Sequence, residues 1–310
     1  MPELPEVEMV RAGLEETVTG AKVIKVEILD ARSLRRHPAN VGDFVETLTN
    51  RTIQGAVRRG KFLWLPLNQK KSEPQLALIG HLGMSGQILL RTPGFEDDPL
   101  TRIIIHLKAQ DGLKYQMRFV DQRIFGSLAI DVMEETEDGF AGGFHGHQEL
   151  DAAWLTMIPN QVAHISRDPL DPAFDEAIVL KIFKRKNSGI KRVLLDQGVL
   201  SGIGNIYADE SLWLAKVHYD QPANTLSTVK AKELLWHVKQ VLAKAVAAGG
   251  TSFDEQYKNI NGESGYFSIS LNAYGLTGLP CKRCGKAIQR DNWMNRGSHF
   301  CPKCQKLKAS

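Results

Sequence analysis

All four cysteines of this 310-residue chain fall in its last thirty residues, as Cys281-x2-Cys284 and Cys301-x2-Cys304 with sixteen residues between the pairs. Each Cys-x2-Cys turn offers two thiolates on one knuckle, and two knuckles close a tetrahedron around a zinc ion. Four protein ligands leave no open coordination position, so the spacing predicts a structural Zn2+ site rather than a catalytic one. Two disulfides are the competing reading, and they belong to an oxidising compartment. Met1 is followed by an acidic, helix-patterned segment instead of a basic and then apolar leader, so a cytosolic protein is expected. Metal binding would let a short, core-poor tail fold. It would also hold Arg290, Arg296 and Lys303 as fixed cations rather than floppy ones.

Charge sharpens this. The net charge is only +4, but Cys281–Ser310 carries eight Lys or Arg against one acid, leaving the rest of the chain about −3. A second acid-free cluster, "KIFKRKNSGIKR", holds six Lys or Arg between Lys181 and Arg192. Two separated basic patches fit a polyanion footprint, and they equally fit two solvated faces. No apolar run approaches the ~18–20 residues that span a bilayer, so no membrane role is expected.

The apolar period changes along the chain. Val7, Val10, Leu14 and Val18 recur at helical spacing, with Gly20 as a stop. After that the period is two. Ile24, Val26 and Ile28 alternate with Lys25 and Glu27, and Leu113, Tyr115, Met117 and Phe119 alternate with Lys114, Gln116 and Arg118. "FLWLPL", "LALIGH", "QILL" and "RIIIHL" add short strands, which together predict a β-sandwich or barrel. Acidic, glycine-rich Glu134–Glu149 reads as a loop or insertion. Its His145 and His147 are weak metal candidates against a solvated loop. "SRDPLDPAFDE" reads as an interdomain linker with Asp175 capping the next helix. A helical half follows, in which Leu234, Leu235, Val238, Val241, Leu242 and Ala245 form one stripe that Gly249 ends.

Two short stretches carry the chemistry. In "LLDQGVLSGIGNIYADE" a helix ends near Gln197-Gly198, and closely spaced glycines precede a second helix. That arrangement either cradles a phosphate, with Asn205 and the upstream Lys191 as added donors, or is merely a tight corner. At the amino terminus stands "MPELPEVEMV". Loss of Met1 would leave the secondary amine of Pro2, whose pKa near ~8 keeps part of it nucleophilic at neutral pH. Its attack on a sugar C1′ would give an iminium ion, with Glu3 at hand to move protons and Glu6 one turn later to orient the terminus. An ordinary capped helix start explains the same letters.

These pieces together resemble the formamidopyrimidine-DNA glycosylase branch of a DNA-repair family. "PELPEVE" is similar to its amino terminus, with Leu4 where the sister endonuclease VIII branch has glycine. "RRGKFL" resembles the family's lysine-bearing hairpin, "HLGMSG" the strand-turn after it and "DQRIFG" the loop that fills the duplex. "LLDQGVLSGIGNIYADE" resembles the helix–two-turn–helix motif, and "AYGLTGLPCKRC…NRGSHFCPKCQ" the terminal zinc finger. The matches run in family order from residue 2 to residue 305.

The resemblance implies an α+β multidomain fold: an N-terminal helix with a two-layer β-sandwich (1–160), a linker (161–173), a helix–two-turn–helix domain (174–250), a lesion-capping loop (251–269) and a zinc-finger β-hairpin (270–310). It implies a glycosylase and abasic-site lyase that removes oxidised purines such as 8-oxoguanine opposite cytosine through a Pro2 Schiff base, then cuts by β,δ-elimination. Pro2, Glu3, Lys61 and Arg296 form the implied catalytic set, with Glu6 positioning the sugar. Met84, Arg123 and Phe125 would fill the gap left by the flipped nucleotide, and Lys191, Asn205 and Arg296 would clamp phosphates. Cys281, Cys284, Cys301 and Cys304 would bind the single zinc, with no organic cofactor. The expected partner is double-stranded DNA with oxidised bases or abasic sites, met by a cytoplasmic, nucleoid-associated monomer. The chain departs from the family pattern at Leu276, where arginine is usual, and in the acidic insertion. Two rivals remain: the same chemistry on oxidised pyrimidines, and a non-enzymatic zinc-finger DNA-binding protein.

Overall fold

A computed structural model describes residues 2–146, 151–250 and 271–308. His147 and the expected lesion-capping loop lie outside the described residues. The chain folds as two compact units, Met1–His164 with Ala248–Tyr266, and Ile165–Ala247 with Phe267–Ser310.

The first unit opens with α1 (Leu4–Val18), whose Glu3 and Glu6 form a capping box with proline in the first turn. Val7, Leu14 and Val18 have no exposed surface, and each contributes roughly 1.5–3 kcal/mol through burial. They enter one apolar cluster with residues from two antiparallel sheets. The first sheet has the order β1-β6-β7-β5, from β1 (Lys22–Ile28), β5 (Gly86–Arg91), β6 (Thr101–Lys108) and β7 (Lys114–Asp121). The second has the order β2-β3-β4-β8-β9, from β2 (Val57–Arg59), β3 (Phe62–Pro66), β4 (Leu76–His81), β8 (Ser127–Glu135) and β9 (Met157–Pro159). The expected helix and two-layer sandwich are present. Short helices α2 (Phe44–Leu48) and α3 (Asn160–Ala163) complete this unit.

Strict alternation fails in two places. In β1 the register against β6 shifts between Val23 and Lys25, so Val23 and Val26 point into the core while Ile24 is exposed. A bulge reverses the face of everything beyond it. In β7 Leu113 falls before the strand and is exposed, whereas Arg118 is buried. Asp98 and Gln116 satisfy the Arg118 guanidinium, at 2.8 and 2.6 Å.

The acidic insertion is less of a loop than its composition suggests. Glu134 and Glu135 finish β8. Phe144 then exchanges both backbone hydrogen bonds with Arg58, at 2.9 and 2.8 Å. A side chain at Gly143 would overlap the Arg58 carbonyl, so glycine there permits the close approach. The Phe144 ring lies beneath the Arg11 and Arg58 guanidinium groups. His145 accepts from Arg11 through its carbonyl at 3.2 Å.

Residues 165–173, which open the second unit, are fixed by local hydrogen bonds. Asp168 and Asp171 are buried and accept the N–H groups of Leu170 and Ala173 at 3.1 and 2.8 Å. Asp175 caps α4 (Glu176–Arg185) by accepting from Ala177 and Ile178. Next come α5 (Ile190–Leu194), α6 (Asn205–Ala215) and α7 (Thr228–Ala247), the last burying the expected stripe. The hairpin of β10 (Gln289–Trp293) and β11 (Arg296–Phe300) carries the zinc-finger region. Among the described residues no helix is long and apolar enough to cross a membrane.

Candidate active site and nucleic-acid interface

The capping box has a second consequence. Glu6 accepts the Glu3 backbone N–H at 2.8 Å, which fixes the chain entering α1 and thereby the place of Pro2. Glu3 is itself buried. Pro2 lines a cavity of about 310 Å³ together with Lys61, His81, Leu82, Gly83, Met84 and Phe125. The β2–β3 turn brings Lys61, the end of β4 brings His81, and the following turn brings Met84. Residues distant in sequence therefore share one site because β3, β4 and β8 are adjacent strands.

His81 is the lining residue that motif reading misses. Desolvation above all, then the charges of Arg36, Lys61 and Arg35, push its pKa from 6.5 down to about 4. The imidazole is therefore neutral at physiological pH and can donate one hydrogen bond without adding charge. Its Nδ1 is buried without a partner among the described residues. A histidine beside a strand end carries no sequence signal of its own. Only the pairing of Phe62 with His81 across β3 and β4 places it over the cavity.

Met84 and Phe125 stand at the rim, 40% and 50% exposed. Large apolar side chains exposed together beside a cavity are a feature of surfaces that meet a partner. The backbone beneath them is tightly specified. Asp121, fully buried, accepts from Ser85 Oγ at 2.5 Å, from the Arg123 N–H at 3.1 Å and from the Gly126 N–H at 2.7 Å. Gly83 has φ +63, and any Cβ there would overlap the Phe125 carbonyl. The Arg123 side chain is exposed.

The second unit treats its expected phosphate ligands differently. The resemblance implies that Lys191 reaches phosphate, yet it is fully buried. Its ammonium pairs with Asp209 at 2.6 Å and donates to Ser298 Oγ at 2.8 Å and the Gly297 carbonyl at 3.2 Å. Asn205, also buried, donates to the same Gly297 carbonyl at 2.9 Å. Lys191 ties β11 to α5, and Asn205 ties it to the start of α6. In this structure Lys191 presents no charge at the surface, because a buried ammonium needs its carboxylate. The hairpin that they hold carries Arg296, which is exposed. Two residues at the hairpin tip, Met294 and Asn295, have positive φ, as a two-residue turn of this kind requires.

The four cysteine sulfurs lie within 4.8 Å of one another and form no disulfide. This is the metal-capable cluster found among the described residues, and its all-thiolate donor set suits zinc. Leu276 packs against the small core around Cys281 and Cys301. The residue that departs from the family pattern thus braces the finger. Glu210, buried, accepts from the backbone N–H groups of Asn272, Ala273 and Tyr274 at 2.9, 2.8 and 2.9 Å, anchoring the chain that leads into the finger.

Three family models match the chain. Residues 1–128 match the formamidopyrimidine-DNA glycosylase N-terminal domain, 165–256 the formamidopyrimidine-DNA glycosylase H2TH domain, and 278–307 a zinc finger found in FPG and IleRS. A formamidopyrimidine-DNA glycosylase of Leifsonia xyli is 54% identical over 307 residues, covering 99% of this chain and 100% of that protein. A Lactococcus lactis FPG variant, solved in complex with DNA containing Fapy-dG, is 30% identical with a TM-score of 0.78, covering 98% of this chain and 100% of that one. Wild-type Lactococcus lactis FPG, solved with DNA containing an oxidised pyrimidine, is also 30% identical, with a TM-score of 0.77 and coverage of 98% and 100%. With a four-cysteine cluster inside the matched finger, one structural zinc ion belongs to the fold. The chain belongs to the formamidopyrimidine-DNA glycosylase family.

Proposed function

We propose that this glycosylase is bifunctional: it excises oxidised purines from duplex DNA and then cleaves the strand. The observation that carries the reading is the cavity itself, where the amino-terminal Pro2 sits with Lys61 and His81 below two exposed apolar side chains. After removal of Met1, the Pro2 amine attacks C1′ of the damaged nucleotide. The C1′–N bond breaks, and the base leaves with a proton. Glu3 assists opening of the sugar ring, and an iminium ion forms. Loss of a C2′ proton expels the 3′ phosphate, a second elimination expels the 5′ phosphate, and water releases the sugar fragment. Burial suits Glu3 to proton transfer, because water does not compete for it.

Lys61 supplies positive charge for phosphate and lesion, and neutral His81 supplies a donor. Phe125 and Met84 occupy the gap that base extrusion leaves, with Arg123 hydrogen-bonding the orphaned cytosine. That exchange offsets an unstacking cost of a few kcal/mol. Arg296 binds backbone phosphate, while Lys191 and Asn205 act indirectly by fixing the hairpin that bears it. The protein works as a monomer in the cytoplasm, on oxidised or abasic duplex DNA. Residues 1–160, 174–250 and 270–310 serve as catalytic, helix–two-turn–helix and zinc-finger domains, with 161–173 as linker and 251–269 as lesion-capping loop.

Substrate class separates the readings. The Fapy-dG complex of the Lactococcus relative favours purines, and its oxidised-pyrimidine complex favours a wider range. Excision of 8-oxoguanine opposite cytosine should be at least about tenfold faster than excision of thymine glycol. The reverse ranking would overturn the purine assignment. Binding without any base release would establish the non-enzymatic rival.

A further inference from the structure

We propose that Arg35, which lies outside every motif of the chain, is the positioning residue that holds the Arg123–Phe125 loop ready to enter the duplex. This rests on the reading, argued above, that the loop enters DNA. Arg35 ends a short 3-10 turn, Ala31–Leu34, that Asp30 secures by accepting the Arg32 N–H at 3.1 Å. Its guanidinium then reaches about ninety residues along the chain to three consecutive carbonyls. Nη1 donates to Ile124 O at 3.1 Å and Gly126 O at 2.7 Å, and Nη2 to Phe125 O at 2.6 Å.

The loop needs such a clamp. Ile124 has φ +55, a left-handed conformation that β-branched residues adopt only under constraint. Asp121 satisfies loop N–H groups from one side, and Arg35 satisfies loop carbonyls from the other. Between them the backbone is specified at residues 123 to 126, and the Arg123 and Phe125 side chains are left exposed. A planar fork of five donors can serve three carbonyls at once, whereas an ammonium is a single point of charge. Arg35 is itself exposed, so truncating it opens no core cavity.

The test uses lesion duplexes with 2-aminopurine beside the damaged base, and the full-length Arg35→Ala, Arg35→Lys, Phe125→Ala and Arg35→Ala/Phe125→Ala variants. Single-turnover rate constants at saturating protein are read because they do not depend on the fraction folded. Arg35→Ala should slow excision about ten- to a hundredfold. It should also lower the 2-aminopurine unstacking signal and shrink the preference for cytosine over adenine opposite the lesion. Arg35→Lys should fall between Arg35→Ala and wild type. The double variant should be no slower than the slower single one, because both residues act through the same loop. If Phe125→Ala is slow while Arg35→Ala matches wild type, or if the two losses multiply, the clamp is refuted and the wedge stands. If Phe125→Ala itself matches wild type, the wedge reading fails, and the clamp with it.

Discussion

In the first unit the groups at the cavity rim are held out by a frame of other residues; in the second, the groups expected to meet DNA are the frame. Asp121, Ser85 and Arg35 fix the backbone of the loop, leaving Arg123 and Phe125 exposed at their side chains. Lys191 and Asn205 donate to Gly297, Ser298 and Asp209, and Arg296 is an exposed cation on the hairpin they secure. A zinc-dependent hairpin has little core of its own, so neighbouring side chains must anchor it. A sandwich loop rests on two sheets and can leave its side chains free. Lys191 and Asn205, a lysine and an asparagine near a glycine turn, thus lend rigidity to the hairpin.

Glu3→Gln should lower base excision by about 10²–10⁴-fold while sparing some cleavage of preformed abasic sites. Equal loss of both activities would remove Glu3 from the proton-transfer role. Next in size is the buried pair of the second unit. Lys191→Met leaves buried Asp209 with only His299 beside it among the described residues and should cost about 3–5 kcal/mol of that unit's stability, seen as a lower Tm. A sharper discriminator is salt dependence. Arg296→Ala should reduce the slope of log K against log salt by about 0.9, and Lys191→Met should weaken binding without changing that slope. A slope change with Lys191→Met would mean that Lys191 meets phosphate after all.

The smallest effect concerns His81. NMR titration should place its midpoint at about 4 rather than 6.5, and Lys61→Ala should raise it by removing a positive neighbour. The unfolded chain takes up this proton near pH ~6.5, the folded chain only near 4. The stability that neutral His81 confers is therefore complete above pH ~6.5 and is lost as pH falls toward about 4. A midpoint above about 6 would mean that the cavity is neither dry nor electropositive.

Much of this is legible in the letters. The cysteine spacing, the α1 and α7 stripes, the Asp175 cap and six of the strands are local patterns, and each reappears in the fold. β8 escapes notice because a strand buried on both faces does not alternate: Ser127–Met133 is nearly all buried. Ile24 is misplaced by its period because a bulge leaves no mark in composition. The basic cluster around Lys191 gives no sign that this member turns inward to meet Asp209. His81 and Arg35 receive no role from the letters, because His81 meets the cavity through pairing with a neighbouring strand and the partners of Arg35 lie about ninety residues away. What a motif conveys is which residues converge; how each is used depends on burial.

Covalent trapping reads out whether Pro2 is the reagent. Borohydride added during turnover of an 8-oxoguanine duplex should reduce the iminium ion to a stable protein–DNA adduct. Peptide mapping should place that adduct on Pro2 of a chain that has lost Met1. An adduct on a lysine such as Lys61, or none at all under conditions that release base, would rule Pro2 out as the nucleophile.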